Sequence, residues 1–492
     1  MKKTMLLVLT LVLICAAAGC GGQNNTANVE DGITTVTWLA PADTQPDFNL
    51  VMDALNEKLA EKANVKLDLK LMDGGAYDER MKMNMASGNN FDLCFTGYIN
   101  QYAQAVEKGG LYCIDDFLSG SVLASSLPDF VWEDSKVGGK IYAVPNYQIM
   151  ATSMALTVNE ELAAKYNLDV EGIKKTTDIE PFLAQVRDGE SGIYPFSTFS
   201  KRNIIRELDE NPYVDYFFDY KGIPCVAAVY DESTDKITVK SALELEDRKA
   251  AAYLLHDWFE KGYIRKDVAS QTEDGIVSDQ KAQKYAVMSM TYKPGIESTI
   301  EKQWGYKQVP IQVSPTYVNA GSVRLTMTGI GAKSQNPEAA FKVIELMNTD
   351  KELYNLLCFG LEGKHYEKLG ENKVRMIDNS GYALGFSAWT FGNQFNAFVM
   401  EGQDDDVWEK TVEFNNNAPK SKLLGFIPDT DAIRTEISQC QTVMGEYQVV
   451  ENGSENPDNY WDEYSMKMKN AGVDKIAAEM QKQIDEFISS KQ

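Results

Sequence analysis

Side chains able to do covalent or metal chemistry are few and scattered in this chain. Its 492 residues include two histidines, His256 and His365, and no HExxH, which excludes a zinc-hydrolase helix. No nucleophile elbow and no phosphate-cradling glycine loop occurs. Seven cysteines are spaced without a CxxC pair or a disulfide framework. Cys94 and Cys358, each set between leucine and phenylalanine, read as buried free thiols. Glu362, Lys364 and His365 stand close together, as a salt-bridged turn or as acid–base groups. The turn is favoured, because surface charge clusters usually do little. Asp404-Asp405-Asp406 reads as acids at a helix start, with no loop of oxygen ligands to make a calcium site. No metal and no cofactor is expected. What remains is non-covalent: amides, hydroxyls, carboxylates and flat rings placed where strands end, among them Asp43, Gln45, Thr96 and Tyr98.

The elements that must position these residues follow from periodicity. Residues 33–39 are rich in β-branched and aromatic side chains and predict a strand. Phe48, Val51, Met52, Leu55 and Leu59 recur at helical spacing. Val65, Leu67, Leu69 and Leu71 alternate with polar residues, the period of a half-buried strand. A second amphipathic helix over 77–86 and a strand over 91–96 complete a β-α-β-α-β pattern, which implies parallel strands with right-handed crossovers. Ligands of such sheets bind beyond the carboxyl ends of the strands. Here those ends are residues 40–45, 72–75 and 96–100. Further strands are predicted at 141–145, 155–158, 284–290 and 322–329, and helices at 244–261 and from Pro337 onward. Beyond Asp350 the pattern is mostly helical. The length calls for two domains.

The first 19 residues read as a secretory signal: Lys2 and Lys3, an apolar run from Met5 to Ala18, then small residues. That run is too short to span a bilayer as a helix. Ala18-Gly19-Cys20 resembles the lipobox of bacterial lipoproteins, with Ala17 where leucine is preferred. The resemblance implies that Cys20 becomes the acylated first residue, followed by a loose tether over 20–32. The alternative is an ordinary signal with a chance cysteine. A formal charge of −24 argues against nucleic acid and anionic lipid as partners.

Several stretches carry a wider resemblance: Phe91-Asp92-Leu93, residues 139–147 (GKIYAVPNY), Leu156-Thr157-Val158-Asn159, Trp304-Gly305-Tyr306, Asn348-Thr349-Asp350, residues 360–366 (GLEGKHY) and Phe391-Gly392-Asn393-Gln394. In this order they make the mature chain similar to the extracellular solute-binding proteins of bacterial ABC importers. The likeness is to the LplA-like, carbohydrate-type lipoproteins of Gram-positive bacteria. It implies an α/β, periplasmic-binding-protein-like fold of type II, with two lobes joined by hinge strands around a ligand cleft. One lobe would hold 33–148 and 314–350, the other 149–313 and 351–492, with crossings near 146–155 and 312–322. The expected function is capture of a solute, commonly a sugar or oligosaccharide, and its delivery to a membrane permease. Such a protein is expected to be a monomer held outside the cytoplasmic membrane through Cys20, and to perform no reaction.

A sugar site wants aromatic faces ringed by amides and carboxylates. The resemblance adds Asn146, Tyr147 and Gln148 at the hinge, and Tyr292, Trp389 and Asn393 beyond it. Each also has a structural reading. Tyr98 and Tyr292 could cap strands, Trp389 could be core, and Asp43, Asn146 and Gln148 could serve turns. The rival functions are a peptide or amino-acid receptor, and a surface glycosidase with paired carboxylates.

Overall fold

The computed structural model describes residues 29–30, 32–87, 91–197, 213–217 and 223–491; the Cys20 anchor lies outside them. Among these, two sheets organise the molecule. Their strands, in chain order, are β1 (Ile33–Pro41), β2 (Val65–Met72), β3 (Leu93–Gly97), β4 (Ala143–Pro145), β5 (Met154–Asn159), β6 (Tyr194–Ser197), β7 (Tyr285–Thr291), β8 (Gln308–Gln312) and β9 (Thr326–Ile330). The first sheet runs β2-β1-β3-β9-β4, with a short strand Val29–Glu30 beside β1. β1 is parallel to β2 and β3, whereas β9 returns antiparallel between β3 and β4. The second runs β8-β5-β7-β6.

Burial explains the choice of elements. In β2, Val65, Leu67 and Leu69 point inward while Lys66 and Lys70 stay outside; β3, covered on both faces, is buried throughout. The helix Phe48–Ala63 buries Val51, Met52, Leu55 and Leu59, and ends at Asn64 in the left-handed conformation. Two large apolar cores result, with smaller clusters beside them. One gathers Val36, Trp38, Leu55, Val144, Ile344, Leu357 and Phe391. The other gathers Leu156, Phe196, Trp258, Val287, Ile311, Ile437 and Met480.

Residues 353–397 depart from the division expected at 350. Most of their buried apolar side chains, from Leu353 to Ala397, belong to the core built on β1. The helix Lys351–Phe359 follows Pro337–Thr349 with Asp350 alone between them, and Asp350 caps it through Leu353 N. It therefore stays beside Phe48–Ala63, with Lys58 and Lys62 paired to Glu352 and Asp350 at 2.6 Å. Only the later helices, such as Arg434–Glu446 and Val473–Lys491, join the second core.

Three stretches of chain pass between the cores and pair with one another. Thr152 and Tyr317 exchange backbone hydrogen bonds of 2.7 and 2.9 Å. Val318 donates to Pro419 O and accepts from Ser421 N. Two buried carboxylates clasp this bundle. Asp134 accepts from Gly321 N and Gly425 N and pairs with Arg324 at 3.2 Å. Asp215 accepts from Ala320 N at 2.8 Å and from the Ser421 hydroxyl at 2.6 Å. Burial nevertheless pushes the Asp215 carboxyl up to about 6.

A carboxyl whose pKa rises on folding binds a proton more tightly in the folded state. Its stabilising contribution is complete below about pH 4 and is lost as pH rises through about 6. Unfolding free energy measured against pH should therefore fall by roughly 3 kcal/mol more across that window in the native chain than in Asp215→Asn. Parallel curves for the two proteins would refute this account of Asp215.

Candidate functional site

The carboxyl end of β3 faces the gap between the two cores. Gly97 and Tyr98 turn there under a close backbone approach: Tyr98 N donates to Leu325 O at 2.9 Å. A Cβ on Gly97 would sit 2.0 Å from that same oxygen, so the turn requires glycine. The turn leaves the Tyr98 ring 52% exposed. Its centroid is 5.7 Å from Phe95 and 6.1 Å from Trp389, which itself lies 6.1 Å from Phe95. Three rings from two distant parts of the chain thus form one aromatic wall.

Trp389 also lines a cavity of about 770 Å³. One side of that cavity is built by Gly385, Phe386 and Gln394, from the segment that packs on the first core. The facing side is the stretch that follows β7, from Lys293 into the helix Ile296–Trp304, including Ser298 and Gln303. Ile149, on the first crossing, lies at the junction, and Trp408 and Gln403 complete the wall. Lys302 Nζ stands 3.5 Å from the centre of the exposed Phe386 ring, so the two sides already touch at the rim. Gly295 lets the facing stretch approach: it takes φ +71°, and a Cβ there would lie 2.6 Å from Val407 Cγ2. A second cavity, of about 440 Å³, is lined by Gly97 with Gln101, Gln104 and Arg324 and by the segment Pro428–Asp431 with Arg434.

Electrostatics within the larger cavity are uneven. Glu401 is held by Arg375 through two hydrogen bonds of 2.9 and 2.7 Å. Burial lowers the Lys293 pKa, with no other charge contributing, and burial likewise lowers that of Lys302. Wide space, several flat rings and dispersed amides suit a solute with apolar faces and a polar rim.

The residues expected at the site divide into two sets. Tyr98 and Trp389 form the wall, and Tyr292 sits at the end of β7 beside Lys293, its ring 5.7 Å from Phe414. Asn146, Thr96 and Tyr147 are buried instead. Asn146 donates to Thr390 O and accepts from Thr328, which fixes the backbone next to Trp389. Thr96 donates to Asn100 O, and Tyr147 packs edge-on against Phe395 at 4.8 Å. Gln148 donates to the Thr326 hydroxyl, Gln45 spans from Asp43 O to Ala383 N, and Asn393 caps a short turn through Phe395 N. Asp43 is exposed. These hold the frame. The cluster around His365 is structural too: His365 and Lys364 both bind Asp47, ahead of the helix Phe48–Ala63. Phe386, Gln394, Trp408 and Lys293 escaped the sequence reading. Phe386 belongs to a short 3-10 segment, Leu384–Thr390, with no apolar period to mark it.

Comparison with known proteins adds an independent line. A family model described as bacterial extracellular solute-binding protein matches residues 41–353. A second model, described as a domain of unknown function, matches residues 422–489. A carbohydrate ABC transporter substrate-binding protein of Streptococcus pneumoniae serotype 4 is 28% identical, over 98% of this chain and 97% of its own length. Among solved structures, the N-glycan transport solute-binding protein NgtS of Streptococcus pneumoniae superposes with a TM-score of 0.81 at 27% identity, covering 93% of this chain and all of its own. NgtS in complex with Man1GlcNAc superposes at 0.71 (26% identity, 92% of this chain and 99% of that one). The complex with Man5GlcNAc gives 0.68 (27% identity, 93% and 99%).

Gly97→Ala should lower the melting temperature well beyond Gly32→Ala. Both glycines have positive φ, but a Cβ at Gly32 meets nothing within 4 Å. The difference should correspond to roughly 1–3 kcal/mol of overpacking strain. Equal melting temperatures would show that Leu325 yields freely and that the turn does not fix Tyr98.

Proposed function

This chain belongs to the bacterial extracellular solute-binding proteins, and from that premise we propose that it captures a carbohydrate between two lobes and hands it to the permease of an ABC importer. The observation that carries this reading is the 770 Å³ cavity, with Trp389, Phe386 and Trp408 among its walls and Gln303, Gln394 and Gln403 around them. Aromatic faces match the C–H faces of a pyranose, and the amides match its hydroxyls. NgtS, similar along the same length, is described with mannose- and GlcNAc-containing oligosaccharides.

One lobe holds β1–β4, β9 and the chain from there to about residue 400. The other holds β5–β8 and the C-terminal helices. The three paired crossings are the pivot. Closure draws the facing stretch around Lys293 toward Trp389, and a ligand that touches both sides favours the closed state by its extra contacts there. The solute leaves chemically unchanged. Cys20, acylated after signal cleavage, holds the protein to the outer face of the cytoplasmic membrane.

Titration with mannose- and GlcNAc-containing oligosaccharides should raise the melting temperature and release no product. At a hundredfold excess over Kd the gain is about 2.7 kcal/mol. Trp389→Ala should weaken the tightest sugar about tenfold or more, as loss of a buried aromatic anchor does. Stabilisation by oligopeptides with none by sugars, or hydrolysis of a sugar, would sink the proposal. Cys20→Ser should move the protein from the membrane fraction to the medium, and unchanged retention would disprove the anchor.

A further inference from the structure

Lys293 is a cation without a counter-charge. It lines the larger cavity at the end of β7, and among the described residues no carboxylate comes within 4.0 Å of its ammonium. Burial lowers its pKa. A partly buried ammonium in that position is costly, and a pairing group on a ligand would offset the cost. Neighbouring charges point the same way. Lys302, on the same side of the cavity as Lys293, is held over the Phe386 ring at the rim, and Asp378 acts on it. Glu401 is neutralised by Arg375. Glu301 is exposed. The helix Ile296–Trp304 also starts here at Gly295, with no side chain accepting from its first turn. Its amides add partial positive charge, although Glu297 stands in that turn.

Resting on the carbohydrate reading, we propose that the cavity takes an acidic sugar, whose ring stacks on the Trp389–Phe386 side while its anionic substituent pairs with the Lys293 ammonium. The shared chemistry is a fixed negative group on a pyranose, as carboxylate or as sulfate. A neutral sugar fills the same space but leaves Lys293 unpaired. Charge-assisted hydrogen bonds then set a preference for the acid of about tenfold or more.

Calorimetry on the whole mature protein tests this with matched pairs: neutral oligosaccharides, and the same chains ending in a hexuronate, a sialic acid or a sulfated hexose. The expected result is tighter binding of an acidic member, with a preference that shrinks as salt is added. The acid-to-neutral affinity ratio should collapse toward one in Lys293→Met and hold in Lys475→Met, a lysine paired with Glu436 on the far helices. Whether uronate or sulfate wins identifies the anionic group. Neutral sugars binding as tightly as acidic ones, or an unchanged ratio in Lys293→Met, would overturn the acidic preference and leave the carbohydrate receptor standing. If no sugar of either kind binds, or only oligopeptides do, both readings fall.

Discussion

The structure hangs on a buried carboxylate that belongs to one half and grips the chain leaving for the other. Asp134 is fully buried and faces Gly321 N, Val323 N, Gly425 N and the Arg324 guanidinium. Arg324 in turn donates to Asp134 O and Phe426 O. An ion pair so deep recovers its desolvation cost only when its remaining hydrogen-bonding positions are filled. Here they are filled by backbone amides of two crossings, so the charge and the crossings stabilise each other. Removing the carboxylate would strand several buried donors at once. The halves are therefore tied together at this bundle.

From that fixed bundle the site follows by short steps. β9 leaves the second crossing at Thr326 and wedges between β3 and β4. Leu325, just before it, sets the Gly97–Tyr98 turn and hence the exposed ring. The first crossing leaves β4 through Asn146, whose amide holds Thr390 O and with it the position of Trp389. Residues far apart in sequence reach one aromatic wall because the first crossing leaves beside Thr390 and the second ends at Leu325, beside Tyr98. Polar groups buried at this junction are its scaffold, and they place the rings of Tyr98 and Trp389.

Periodicity made the first sheet legible. Val65, Leu67 and Leu69 alternate cleanly, and the helix from Phe48 shows its stripe, because each faces one core and one solvent. The strand-end rule led to Tyr98 for the same reason. Side-chain type alone was a weaker guide, since amides suit a buried backbone as well as a sugar rim: Asn146 and Gln148 went to the frame. Residues 351–400 were misplaced because their helix is short and its period says only that one face is buried, not against which core. Lys293 could not be read at all. Its meaning lies in the absence of a nearby acid, which no local pattern encodes.

That absence matters more than the overall charge. At −24 the chain repels anions as a whole, yet the Debye length at physiological salt is about 8 Å, so distant surface carboxylates are screened at the cavity. Inside, where water is partly excluded, one unpaired ammonium outweighs many exposed acids because its field is little damped. The surface Lys–Glu and Lys–Asp pairs, such as Lys410 with Asp404 and Lys467 with Glu463, cancel locally and leave no such field. An acidic exterior and a cationic spot in the cleft are thus compatible. The net charge of the whole chain does not fix the charge of one cavity wall.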